Sequence, residues 1–397
     1  MKIALLGENY FPTLGGIQEH VHHLARQFIA KGHTVRVLTG QPQVAGPWQG
    51  PRDEDWVVRL GRARRMSVMG SRTTVTFGPR IAWNLHRALQ EGGFDLVHVH
   101  APCDMGLPAL LFATYDGPVV ATLHSPMNGS SWGRRLLAPY YNHVLGRRCD
   151  VVISVSDAAR SAMRRFARFE SRVIPNGVDA TALASGKPMR RFADGMTNVL
   201  MLGRLEPRNG PDIMFKALPR LLAHRPDVRL LVAGEGKNGI AEHQAMVPPE
   251  FRDRVVFLGP VYQERADLYA SARVCVVPAR SGTFSIIVLE ALAAGVPVVA
   301  TPFVQGWRNE RHFTPVKMTE DFSPEAVADG IISVLGEDSA WRIAQGKKVV
   351  RSFDWPHIAD DVEKVYAEAI LRHGSVDRLL GPVVGGSVPR DLGQPAP

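Results

Sequence analysis

The chain alternates between short, nearly uninterrupted apolar runs and longer stretches whose apolar residues recur every three or four positions. In the first half the runs are KIALLG (2–7), TVRVLT (34–39), DLVHVH (95–100), PVVATL (118–123) and DVVISV (150–155). Such Val/Ile/Leu runs suit strands covered on both faces, the condition of a parallel sheet. Between the first two runs, Ile17, Val21, Leu24, Ala25 and Phe28 follow a 3.6-residue period and predict an amphipathic helix. Strand–helix alternation of this kind predicts a doubly wound α/β layer structure.

The pattern stops at the turn-rich stretch IPNGVDATALASGKP (174–188) and then restarts. NVLMLG (198–203), VRLLVAG (228–234), RVVFLG (254–259), RVCVVP (273–278) and PVVAT (297–301) repeat the same alternation. Two Rossmann-like parallel-sheet domains facing across a cleft are predicted, over residues 1–180 and 190–355, and 397 residues suffice for two cores. WPHIADDVEKVYAEAIL (355–371) reads as a last helix with Pro356 near its start. The Gly/Pro-rich segment 381–397 reads as a disordered tail.

Composition narrows the class. Cys103, Cys149 and Cys275 are far apart and show neither metal-ligand spacing nor a disulfide framework, which points to a reduced, cytoplasmic setting. MKIALLGENYFP is too short an apolar run for a signal peptide, and no stretch reaches the roughly 18 to 20 apolar residues of a membrane span. The net charge is +9, and residues 1–180 hold 21 Lys and Arg against 13 Asp and Glu, a net of +8. That asymmetry predicts an anionic partner for the first half. Basic residues cluster at 59–65, 133–135, 146–148 and 157–168, and in the last cluster Arg160, Arg164 and Arg168 share one face of a predicted helix. Such a face is either simply solvated or drawn to anionic lipid headgroups; nucleic acid fits less well, because no aromatics interleave the charge.

Doubly wound sheets bind ligands beyond the carboxyl ends of their strands, so polar groups there are the site candidates. Gly15 and Gly16 open the first helix, where backbone N–H groups can approach a phosphate, although such a pair is as often a plain loop. His124 ends the run PVVATL, at a position equally open to packing and to function. Arg204 follows the strand at 198–203 and suits a diphosphate, which a guanidinium grips bidentately. In SGTFSIIVLEALAAGVPVVAT (281–301), Phe284, Ser285 and Ile286 precede or begin a helix and offer backbone N–H groups. Glu290 is the one acid of that apolar helix. It lies either on a solvated face or in the cleft, where a carboxylate accepts ribose hydroxyls.

These pieces, taken in order, resemble the retaining GT-B glycosyltransferases of family 4, with a layout similar to the phosphatidylinositol mannosyltransferases. The resemblance covers about residues 1–372 and rests on PTLGGIQEHVHHLA, KGHTVRVLT, GSRTTVTFGP, FDLVHVHAP, GPVVATLHS, ISVSDAAR, VIPNGVD, GRLEPRNG, VAGEGK, VVFLGPV and FSIIVLEALAAGVPVVAT. It implies a nucleotide-diphosphate sugar held mainly by the second domain and an acceptor held mainly by the first. Transfer, of mannose or another hexose, would proceed with retention, without a cofactor or a metal. By position it gives the donor phosphate and sugar to Gly16, the sugar to His124, the diphosphate to Arg204 and the ribose to Glu290. Phe284, Ser285 and Ile286 would present N–H groups to the sugar, and a closing helix at 356–372 would return to the first domain. A phosphatidylinositol-like or other anionic lipid at the inner face of the cell membrane is the implied acceptor, with a soluble or polysaccharide acceptor as the alternative.

Two positions depart from the pattern. Gly282 stands where the family carries the first of two glutamates, and Asn209 stands where a lysine usually joins the arginine of the phosphate site. A GT-B protein that binds nucleotide or glycan without turnover therefore remains a second class of expectation.

Overall fold

The computed structural model describes residues 1–374, apart from 9, 14, 43–53, 69–70, 103–105, 125–137, 140, 165–167, 237–238, 283–284 and 304–314 and the side chains of 65–68 and 71–74. The expected tail lies outside the described residues. Strands β1 (Lys2–Gly7), β2 (Thr34–Gln41), β3 (Val57–Arg62), β6 (Leu96–His100), β7 (Val119–Leu123), β8 (Val151–Ser154) and β9 (Arg172–Val173) form one sheet in the order 3-2-1-6-7-8-9. Every pairing in it is parallel. A separate antiparallel pair, β4 (Arg64–Val68) and β5 (Ser71–Val75), follows β3.

A second parallel sheet runs β12-β11-β10-β13-β14-β15. Its strands are β10 (Thr197–Leu202), β11 (Val228–Ala233), β12 (Val255–Gly259), β13 (Val274–Val277), β14 (Val298–Ala300) and β15 (Val316–Met318). The molecule thus has the expected pair of doubly wound α/β domains. All five residues of β6 and β7, and all six of β11, are buried, which is why the apolar runs lack alternation.

In both sheets the order reverses beside the first strand, between β1 and β6 and between β10 and β13. These are the crevices where such folds take ligands.

The helix Trp355–Gly374 belongs physically to the first domain. Trp355, Ile358, Ala359, Val362, Val365, Tyr366 and Ala369 share one core with Ile3, Leu5, Val21, Leu24, Ala25 and Phe28. Polar groups tie it there too: Tyr366 Oη lies 2.7 Å from His98 Nδ1, and Glu363 pairs with Lys31 and His33. The two chain crossings between the domains run side by side, with the Val178 N–H donating to the Phe353 carbonyl at 2.8 Å.

The basic face expected at 157–168 is corrected. The described helix is Asp157–Arg164, and the Arg168 N–H donates to Asn142 Oδ1 rather than continuing a helical ladder. Arg160 pairs with Asp157 and Arg164 with Glu170. Arg59, in the basic cluster 59–65, lies on β3 and donates inward to the Gly40 and Phe11 carbonyls.

Candidate active site

The helix Gly16–Ala30 starts at Gly15, whose extended backbone (φ 167°) leads in without a side-chain cap. A methyl group built on Gly16 would lie 3.0 Å from Ile286 Cδ1 of the second domain. Glycine here permits close approach across the cleft, as well as leaving the first-turn N–H groups open. Ser285 precedes the helix Ile286–Ala293 in extended conformation, again without a side-chain cap. Phe284 lies outside the described residues.

One turn into that helix, Glu290 is 6% exposed. It is therefore not on a solvated face, and its burial demands partners. Oε1 accepts from Arg265 Nη1 at 2.8 Å and Oε2 accepts from Tyr269 Oη at 2.9 Å. A carboxylate has about four lone-pair sites, so two remain for hydroxyl donors. Arg265 also donates through Nη2 to Glu19 Oε1 at 3.0 Å, and Glu19 is in the first turn of the helix that Gly15 opens. Burial works against the Arg265 charge, yet the Glu290 and Glu19 carboxylates outweigh it and raise its pKa. Burial likewise favours a neutral Glu19, but His23 and Arg265 hold its carboxyl below the usual range.

Arg204 extends from the end of β10 and is half exposed, with Nη1 3.0 Å from Glu206 Oε1. Arg208 Nε donates to the other Glu206 oxygen at 2.7 Å. Asn209 does not point its amide into an anion site; Nδ2 donates to the Arg204 carbonyl at 2.6 Å and closes the loop. Gly210 follows with φ 71°, and a methyl group there would sit 1.9 Å from the Pro278 carbonyl, so only glycine lets the β10 and β13 ends meet. A methyl group on Gly203, beside Arg204, would meet Ile287 Cδ1 at 3.0 Å. The Arg204 loop and the Ser285–Glu290 segment thus border one crevice.

His124 ends β7 inside a group of imidazoles. Its Nε2 is 3.1 Å from His100 Nδ1, and its ring centre is 4.8 Å from that of His20. His20 Nδ1 is 2.9 Å from Asn176 Oδ1, and His98 is held between Tyr366 and Thr122. Burial, the dominant cause, pushes His20 down to about 4 and His98, His100 and His124 well below their ordinary value. His20, His100 and His124 offer nitrogens that spread up to 4.8 Å apart, wider than the roughly 3.3 Å edges that tetrahedral zinc–nitrogen bonds would require. Within the group His100 and His124 bond to each other, while His20 Nε2 and His100 Nε2 are buried without a hydrogen-bond partner.

The structure therefore brings together Gly15, Gly16, Ser285, Ile286, Glu290 and, one turn along the first helix, His20 against His124. Arg204 and Asn209 form the adjoining wall. Sequence reasoning missed Arg265, Tyr269, Glu19 and Glu206. Each lies in a run with ordinary helix or loop composition, and only the fold carries it to the cleft.

Two Rossmann-like sheets with their switch points turned to a shared crevice define a GT-B glycosyltransferase. Residues 14–182 match the family described as Glycosyltransferase Family 4, and residues 197–337 match Glycosyl transferases group 1. The phosphatidyl-myo-inositol mannosyltransferase of Mycobacterium tuberculosis is 33% identical over 92% of this chain and 96% of its own. Among solved structures, the sucrose-phosphate synthase of Thermosynechococcus elongatus superposes with a TM-score of 0.72 at 21% identity, over 93% of this chain and 99% of that one. The Anabaena protein HepE, solved with UDP and glucose, gives 0.68 at 18% over 92% and 99%. The chain belongs to glycosyltransferase family 4.

Proposed function

We propose that the protein moves a hexose, with retention, from a nucleotide-diphosphate sugar to a phosphatidylinositol-like lipid. The observation that carries this reading is the convergence of Gly16, Ile286, Glu290 and Arg204 on one crevice, with an oriented carboxylate for a ribose and a guanidinium for a diphosphate. Its support is the 33% identity to the mycobacterial lipid mannosyltransferase and the nucleotide found in a protein of the same fold. The first domain would meet the lipid. Phe77 is 69% exposed and Trp83 59% exposed, beside exposed Arg80 and Arg87, a mixture suited to a headgroup interface. No helix among the described residues is long and apolar enough to cross a membrane.

The test is titration with GDP, UDP and ADP and their hexose derivatives, followed by turnover with phosphatidylinositol vesicles. Binding of one nucleoside diphosphate and product formation on the lipid are expected. Binding with neither turnover nor donor hydrolysis would favour a second reading, a nucleotide-binding protein without transfer. That reading has its own observation: a methyl group on Gly282 would sit 2.7 Å from the Phe303 ring, so an aromatic edge stands against the place where the resemblance leads one to expect a glutamate.

A further inference from the structure

Arg265 is a residue of the helix Arg265–Ala270 in the second domain, and its two terminal nitrogens serve acids of different domains. Glu290 is four residues past Ile286 and Glu19 three residues past Gly16. The Glu19–Arg265–Glu290 bridge therefore lies one turn behind the Gly16–Ile286 contact, and both span the same gap. The three side chains are 12%, 19% and 8% exposed, so salt screens this bridge far less than a surface pair. Arg265 Nε is buried without a hydrogen-bond partner, and the guanidinium lies 5.5 Å from the ring centre of Tyr262, itself packed edge-on to Phe11 of the first domain. The side chain is thus held by its two Nη groups, across the interface. One guanidinium is shared by two carboxylates, and what Glu19 takes Glu290 does not have.

We infer that Arg265 is a positioning residue that makes Glu290 available to nucleotide only when the cleft closes. In an open cleft Glu19 is withdrawn, and the planar fork of Arg265 can turn both Nη groups onto Glu290, the bidentate geometry that arginine and carboxylate favour. Three of the four carboxylate lone-pair sites are then taken by Arg265 and Tyr269, against two in the structure, and too few remain for both ribose hydroxyls. Closing brings Glu19 to Nη2, leaves Glu290 with a single arginine bond and exposes lone pairs to a ribose. Nucleotide binding and closure then promote each other by linkage. The inference rests on Glu290 as the ribose acceptor.

Glu19→Gln keeps the size of the side chain, removes its charge and touches no proposed donor group. Calorimetry with GDP and UDP should show affinity for the preferred nucleotide falling about tenfold, within the usual range of such couplings. Solution scattering should show a larger radius of gyration than wild type for the nucleotide-free variant. Arg265→Lys, which lacks the planar fork that holds one carboxylate on each Nη, should do the same while remaining charged. Glu19→Gln should cost little further affinity in a Glu290→Gln background, because the two act through one path. A purely structural role for Glu19 would lower the melting temperature and leave both affinity and radius unchanged, and that result would overturn the inference. If wild type binds no nucleoside diphosphate, the ribose reading fails by itself. The radius of the free Glu19→Gln variant still decides whether the bridge holds the domains.

Discussion

Glu290 is the position where sequence reasoning and structure meet most closely. An acid in the run IIVLEALA must be solvated, ligand-bound or compensated, and Arg265 with Tyr269 compensates it. The compensators lie 25 and 21 residues earlier, on a helix with no distinctive pattern, so nothing local announces them. Glu290→Gln leaves Arg265 with one acid and turns a charged acceptor into a neutral one. Breaking one partner out of a buried pair costs about 3–5 kcal/mol, so a large fall in melting temperature is expected together with weaker nucleotide binding. Tyr269→Phe removes only a hydroxyl donor and should cost about 1.5–3 kcal/mol, the range for a bond to a charged group. Thermal unfolding of the two variants would rank them; equal effects would contradict the geometry. Arg204→Ala should weaken diphosphate binding by about 1.5 kcal/mol, the low end for a charge-assisted bond. Arg204 is half exposed and already shares Glu206 with Arg208. Calorimetry reads this directly, and unchanged affinity would remove Arg204 from the site.

At the scale of elements, the apolar runs located β1, β2, β6–β8 and β10–β14 to within two residues at either end, because a strand covered on both faces has no polar position to obscure it. β3 was not legible. Its residues VVRLGR carry two arginines, and Arg59 is satisfied by backbone carbonyls that the sequence does not reveal. β15, with three residues, is too short to have a period. The final helix was legible as a helix, but its partner was known only through resemblance. Its core contacts and the Tyr366–His98 bond now account for its position. Tyr366→Phe should cost about 1–3 kcal/mol, since buried His98 loses a partner without losing packing. Chemical denaturation would show it as a lower midpoint at unchanged slope.

For the whole molecule, acid stability follows from the buried imidazoles. Unfolded histidines take up protons below about pH 6.5. His20 and His22 are held down to about 4, chiefly by burial, and His98, His100 and His124 are also held well below the ordinary value. Between about pH 6.5 and 4 the unfolded state therefore binds more protons, and stability falls as pH falls. Each such group adds up to about 1.4 kcal/mol per pH unit. Melting temperature should drop steeply from pH 6.5 to 4.5, and a flat profile would show that these histidines titrate normally.

The return of the Trp355–Gly374 helix to the first domain also bears on how the molecule is made. During synthesis the first sheet emerges early, yet the helix that covers one of its faces is encoded beyond the entire second domain. Ile3, Leu5, Leu24, Ala25 and Phe28 must wait, partly uncovered, while some two hundred further residues are polymerised. At about 5–20 residues per second that is an interval of roughly ten to forty seconds. Over that time the nascent chain shows an unfinished apolar surface to its surroundings, and the second domain, all of whose strands are consecutive in the chain, can be complete first.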